Sequence, residues 1–163
     1  MDLIKKYMEK SVSYKDYYID NNENLDKDNF SFDELFSNIN SDIDLVLSML
    51  NVPLNKKGYQ YWKDAIFIYI LSEKLRLSIC NEIYPVIAKK YNKTPMAIER
   101  AMRLCFENAM YYVSKNGIDT FSKYFKDCLL YPHNGEILIK IVEFISSKSF
   151  QKNKSKYLKI DIC

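Results

Sequence analysis

Two arginines and a glutamate, Glu99, Arg100 and Arg103, share one face of a predicted helix. A helix turns once about every 3.6 residues, so these side chains, together with Met96 and Glu107, point away from the apolar stripe on the opposite side. A guanidinium group can donate two parallel hydrogen bonds to the edge of a guanine or to a phosphate. This face therefore has the residue types needed to read a nucleic acid.

A shorter helix is predicted just before this one. Ala88 supplies a small side chain where two helix backbones cross closely, and Asn92 is a common choice for the left-handed residue that ends a helix. Thr94 is a good N-cap, and Pro95 suits the first helical position, where its missing N–H costs nothing. This spacing is typical of a helix-turn-helix, whose second helix enters the DNA major groove. An ordinary helical hairpin with a solvated charged face fits the spacing equally well.

The rest of the chain also reads as helical, because apolar residues recur at three and four positions. Ser41 is expected to cap one helix and Asn134 to cap the last one. The predicted segments are residues 41–50, 58–72, 73–83, 120–125 and 134–145, besides the two helices of the helix-turn-helix. No stretch alternates well enough for a sheet. The expected fold class is therefore all-α, a compact multi-helix domain containing a helix-turn-helix.

Charge divides the chain into two parts. Residues 1–50 carry five lysines and eleven acidic residues, a net charge of −6, whereas residues 51–163 carry nineteen Lys or Arg and ten acidic residues, a net charge of +9. A basic domain suits a polyanion, and an acidic leader suits a basic protein surface or its own basic domain. We expect an acidic, partly helical N-terminal extension (1–40), a DNA-binding domain (41–146) and a flexible basic tail (147–163).

Several function classes lack support in the sequence. No apolar run approaches the length of a transmembrane helix and no signal peptide is present, so a cytoplasmic protein without a membrane partner is expected. The four cysteines, Cys80, Cys105, Cys128 and Cys163, are widely spaced and His133 is the single histidine, which favours buried reduced thiols over a metal site. No phosphate loop or nucleophile motif occurs, so neither an enzyme nor a cofactor is expected.

Four runs of residues are shared with a known family. They are Val52-Pro53 with Lys57-Gly58-Tyr59, Tyr84-Pro85 with Ile87-Ala88-Lys89-Lys90-Tyr91, Ile98-Glu99-Arg100-Ala101 with Arg103, and Gly117-Ile118-Asp119. Over about residues 41–144 the chain resembles the C-terminal DNA-binding domain of the master sporulation response regulator of endospore-forming bacteria. The resemblance implies about six helices that bind a short box of double-stranded DNA as a dimer and regulate transcription.

The resemblance also implies which residues contact DNA. Glu99, Arg100 and Arg103 would face bases and phosphates from the second helix, and three lysines would flank the phosphate backbone. The full set of expected DNA-binding residues is Lys89, Lys90, Lys93, Thr94, Met96, Ala97, Glu99, Arg100 and Arg103. Met96 and Ala97 stand where the family has a Ser-Arg pair, so the DNA box read by this chain is expected to differ.

Control and partners follow from the same resemblance. The family's phosphoacceptor receiver domain is not expected, because forty residues are too few to form it, so regulation should not depend on phosphorylation of this chain. A homodimer on DNA is expected, with RNA polymerase as a further candidate partner. Ile137, Ile141 and Ile145 of the last helix could serve the dimer or the core. The alternative function is an interaction protein or antagonist that binds the full-length sporulation regulator or RNA polymerase.

Overall fold

Helices make up the regular structure of the computed structural model, which describes residues 32–72, 77–116, 125 and 133–157 and contains no strand among them. The helices are α1 (Phe32–Met49), α2 (Lys57–Ile70), α3 (Tyr84–Tyr91), α4 (Pro95–Asn116), α5 (Asn134–Ile145) and α6 (Lys148–Tyr157), and a π-helical turn (Ile79–Ile83) leads into α3. The predicted all-α class is confirmed. The predicted helical content of residues 1–31, and nearly all of the predicted helix at 120–125, lie outside the described residues.

Helix α2 is the central element of the core, because one side of it packs on α4. The Trp62 side chain is fully buried, and its ring lies 5.0 Å from the Phe106 ring, measured between centroids. A buried indole N–H needs an acceptor. Trp62 Nε1 donates to the backbone oxygen of Met102 at 2.9 Å, so a single side chain supplies both apolar contact and a directed bond to α4.

Gly58 allows the first turn of α2 to approach α4 at backbone contact. A Cβ atom built on Gly58 would lie 2.3 Å from the backbone oxygen of Ala101 and 2.8 Å from Cys105 Cβ. Neither neighbour is the end of a flexible side chain, so no side chain fits without moving a helix. The sequence contained Gly58 within a shared run of residues, but nothing local indicated that this glycine marks a helix crossing.

Helix α1 begins at Phe32, and the prediction that it begins at Ser41 is wrong. Ser41 lies exposed in the middle of the helix, whereas Ile39 and Ile43 on either side of it are fully buried. Burial of an apolar stripe outweighs the local preference of Ser, Asn and Asp for turns and caps. The predicted boundary between residues 40 and 41 therefore falls inside a helix.

Residues 148–157 form α6, so the prediction of a flexible arm is wrong for this segment. Phe150 is fully buried and its ring lies 5.1 Å from the Phe144 ring. Gln151 Nε2 donates to Asp42 Oδ2 at 3.1 Å and to the Ile145 oxygen at 2.8 Å. One aromatic residue and one buried amide thus fix a segment whose composition is otherwise that of a solvated tail.

Other predictions near the core fare unevenly. Asn134 does not cap α5: it occupies the first helical position, and His133 is the N-cap residue. Ile137, Ile141 and Ile145 are all buried, which assigns them to the core and removes them as a dimer surface. No described helix combines the length and apolar character that a membrane span requires.

The two described cysteines differ in environment. Cys105 is buried, as predicted, and burial raises the pKa of its thiol to about 11. Cys80 is exposed, so its predicted burial is wrong: the π-helical turn places it on the outside, where a regular helix was expected. Cys128 and Cys163 lie outside the described residues.

The glycine at the α2–α4 crossing gives a stability prediction. Gly58→Ala should lower the free energy of unfolding by about 1–3 kcal/mol, because the added methyl group must push the helices apart. Gly135→Ala is the matched control, since its Cβ would meet only Ile79 Cγ2 at 3.5 Å, an ordinary contact. That change should leave stability unchanged or raise it by up to about 1 kcal/mol through helix propensity. Equal denaturant midpoints for the two variants would contradict the crossing.

Candidate nucleic-acid interface

The turn between α3 and α4 has the geometry that the sequence predicted. Asn92 adopts the left-handed conformation, with φ 51° and ψ 53°, and Lys93 N donates to the Ala88 oxygen at 2.9 Å, which closes the end of α3. Thr94 Oγ1 accepts from Ala97 N at 3.2 Å and so caps α4, whose first residue is Pro95. The predicted helix-turn-helix spacing therefore corresponds to two helices joined by a tight, capped turn.

The solvent face of α4 carries the residues that the predicted helix placed there. Met96 is 77% exposed, and Arg100, Arg103 and Glu107 are exposed, whereas Glu99 is half-buried. These side chains border a shallow depression of about 350 Å³ together with one residue that the sequence did not single out, Leu104, which is 51% exposed.

The charges on this face are not equivalent. Arg103 pairs with Glu99 one turn away on the same helix. Arg100 is exposed and has no acidic partner within the part of the chain that the structure describes. Arg100 can therefore bind a ligand without breaking an existing ion pair. Arg103 must either break its ion pair with Glu99 or bind the ligand with that pair intact.

The three lysines expected at the phosphate backbone also differ in their contacts. Lys89 and Lys93 are exposed, as are Thr94 and Ala97 at the start of α4. Lys90 instead directs its amine at α2, where Lys90 Nζ lies 2.8 Å from Asp64 Oδ2. Eight of the expected residues are therefore exposed or half-exposed, while Lys90, which is also exposed, pairs its amine with a carboxylate of α2.

Asn134 joins three helices at one edge of this surface, a role that the sequence did not reveal. Its Nδ2 donates to Tyr84 Oη at 2.8 Å and to the Glu99 backbone oxygen at 3.2 Å, so the first turn of α5 is bonded to both α3 and α4. Burial raises the pKa of Tyr84 to about 12, which keeps its hydroxyl neutral at physiological pH. In the sequence, Asn134 is a polar residue directly before an apolar stripe. A helix cap explains this pattern equally well.

A wider cleft of about 560 Å³ opens beside this junction, between α4, the first turns of α5 and the π-helical turn. Glu99, Arg103 and Glu107 border both this cleft and the depression described above, so the outer face of α4 is accessible along several turns. Among the described residues, no three His, Cys, Asp or Glu side chains converge in a way that could hold a metal ion. The chemistry of this surface is accordingly that of guanidinium, ammonium and carboxylate groups.

The junction leads to a second stability prediction. Asn134→Ala should lower the free energy of unfolding by about 1–3 kcal/mol, because it removes two hydrogen bonds from a buried site. Asn153→Ala is the control: its Nδ2 donates to the Ser149 oxygen at 2.9 Å on the exposed side of α6, and its loss should change stability by less than about 0.5 kcal/mol. Chemical denaturation of both variants is the measurement, and a neutral Asn134→Ala would show that the junction does not hold the helices together.

Comparison with known proteins agrees with this geometry. A family model described as "Sporulation initiation factor Spo0A C terminal" matches residues 43–145, which is well over half of the chain. No solved structure matches the chain. The family is one of DNA-binding domains and not of enzymes, and the helix-turn-helix formed by α3 and α4 lies wholly inside the matched range. The chain therefore belongs to the family of the C-terminal, DNA-binding domain of the sporulation initiation factor Spo0A.

Proposed function

We propose that this protein is a sequence-specific, double-stranded DNA-binding regulator of transcription, acting in the cytoplasm in sporulation or a related developmental programme. The observation that carries the proposal is the exposed Arg100 guanidinium on α4, one and a half turns from a capped helix start. An arginine in this position of a recognition helix can bond both acceptors of a guanine in the major groove. Its lack of an acidic partner among the described residues leaves that capacity available.

The proposed contacts fall into two classes. Arg100, with Glu99 and Arg103 as a coupled pair, would meet base edges and nearby phosphates from the groove. The exposed Lys89, in the last turn of α3, and the exposed Lys93, in the turn that precedes α4, would meet the phosphate backbone. Thr94, Met96 and Ala97 complete the surface at the start of the recognition helix.

We also propose a homodimer on DNA. One recognition helix covers too few base pairs to select a site in a genome, and helix-turn-helix proteins usually double their footprint through two-fold or tandem binding. Ile137, Ile141 and Ile145 of α5 are buried in the core, so these three residues do not supply the contact between protomers. RNA polymerase is the partner that a regulator bound next to a promoter would meet.

Base reading by Arg100 is directly testable. Arg100→Ala should reduce the ratio of specific to random DNA affinity by an amount equivalent to about 1–3 kcal/mol, because a bidentate contact to a base is lost. Lys152→Ala, which removes an exposed charge from α6, should leave that ratio unchanged. The site is first selected from a random duplex library, and anisotropy titrations then give both affinities. An unaltered ratio for Arg100→Ala would remove this residue from base recognition.

Independence from phosphorylation is a separate prediction. The purified, unmodified chain should bind its selected duplex, and treatment with a small phosphodonor should change neither the affinity nor the stoichiometry. Mobility shifts over a range of protein concentrations would also report whether two protomers bind together. If the chain binds no duplex under any condition but captures the full-length sporulation regulator or RNA polymerase, it is an interaction protein and the proposed function is wrong.

A further inference from the structure

Lys90 is the one expected DNA-binding residue whose amine is engaged elsewhere. We infer that Lys90 is a positioning residue and not a phosphate contact: paired with Asp64 of α2, it fixes the last turn of α3 and so the angle at which α4 meets DNA. This inference rests on the proposed DNA-binding function. It assigns Asp64, which lies far from the recognition surface in sequence, to the machinery that orients that surface.

The burial of the two partners explains why the pair persists. The Asp64 side chain is 6% exposed, whereas that of Lys90 is 37% exposed. A buried carboxylate that loses its counter-charge is strongly unfavourable, because nothing replaces the lost hydration. If Lys90 moved to bind a phosphate, Asp64 would stay buried without its counter-charge. We therefore expect the ion pair to remain intact when DNA is bound.

The next residue of α3, Tyr91, also packs against α2. Burial, with a smaller contribution from nearby Asp64, raises the pKa of Tyr91, which keeps its hydroxyl neutral. The Tyr91 ring packs edge-on against Tyr61 with centroids 4.8 Å apart, and Lys90 Nζ lies 5.1 Å from the centre of the Tyr91 ring. Two consecutive residues at the end of α3 thus contact α2, Lys90 through Asp64 and Tyr91 through Tyr61.

The Lys90–Asp64 pair, called the clasp below, lies next to the turn that leads into α4. Its position in the chain therefore allows it to affect DNA recognition. Asn92, with its left-handed backbone, follows Tyr91 directly, and Thr94 caps α4 two residues later. A shift of the last turn of α3 is therefore passed through a short, tightly bonded turn to the helix that carries Arg100. Lys93, on the same turn, is exposed and has no acidic partner in the described segments, so it remains available to phosphates.

The two roles of a lysine differ in their salt dependence. Each phosphate contact contributes about 0.9 to the slope of log affinity against log salt concentration. Lys93→Met should reduce this slope by about 0.9 and leave the specific-to-random ratio unchanged. Lys90→Met should leave the slope unchanged and lower the ratio several-fold. Lys90→Arg, which keeps the charge and can still reach Asp64, should restore the ratio.

A matched control separates this clasp from general destabilisation. Lys63, the neighbour of Asp64 on α2, pairs with Asp44 of α1 at 2.7 Å, and Asp44 also accepts a hydrogen bond from Tyr59 Oη at 2.6 Å, so these contacts join α2 to α1. Asp44→Asn should therefore lower the melting temperature without altering the specific-to-random ratio. Asp64→Asn should lower both the melting temperature and the ratio. If Asp44→Asn and Asp64→Asn change the ratio alike, the ratio reports stability alone and the inference is wrong.

Titration of the full chain with specific and random duplexes from about 50 to 200 mM salt provides the decisive comparison. A slope that falls for Lys90→Met as much as for Lys93→Met, with an unchanged ratio, would make Lys90 a phosphate contact and overturn the inference. If the wild type binds no DNA, the proposed function fails by itself. The clasp is then judged by a thermal double-mutant cycle of Asp64→Asn and Lys90→Met, in which additive effects would refute it.

Discussion

The crossing of α2 over α4 is the contact on which the rest of the structure depends. Gly58 lets the two backbones touch, and Trp62 bonds to the Met102 oxygen from within the core. Helix α4 has to serve two sides at once, since its inner residues fill the core and its outer residues face solvent. A rigid inner contact fixes the rotation of α4 about its own axis, and this rotation leaves Arg100 and Arg103 exposed while Ile98 and Met102 are buried.

Around this crossing, α3 and α5 also restrain α4. Helix α3 is tied to α2 by Asp64 and to α4 by the capped turn, while α5 is bonded to both through Asn134. Buried polar contacts of this kind add little net stability but strongly penalise alternative arrangements, because each displaced partner would be left unpaired. Such a framework suits a surface that must meet a rigid duplex in one orientation.

Local chemistry was sufficient to predict the turn and the exposed face. Asn92, Thr94 and Pro95 act through their own backbone preferences, and the helical period alone places Arg100 opposite the apolar stripe. These inferences needed no knowledge of the rest of the chain. The family relationship and the all-α class also followed from short runs of residues and from the absence of alternating patterns.

Contacts between residues distant in sequence were not predictable in the same way. From its side chain type alone, Lys90 is a candidate phosphate contact. In the fold its amine lies beside Asp64, which is 26 residues earlier in the chain. Asn134 has the side chain type of a helix cap, and only the folded structure shows its hydrogen bonds to α3 and α4. Ser41 carries a strong local signal that burial of Ile39 overrides. In each case the side chain type was informative, but its partner was chosen by packing.

The docking of α6 has a practical consequence for dissecting the protein. Asp42 of α1 and Gln151 of α6 are 109 residues apart and share a buried hydrogen bond, although the family match covers only residues 43–145. Cutting the chain at the limits of that match would split α1 and remove both partners of this bond, together with the buried Phe150 of α6. A fragment meant to fold should extend at least from Phe32 to Tyr157. The docking of α6 therefore predicts a folding unit longer than the range matched by the family.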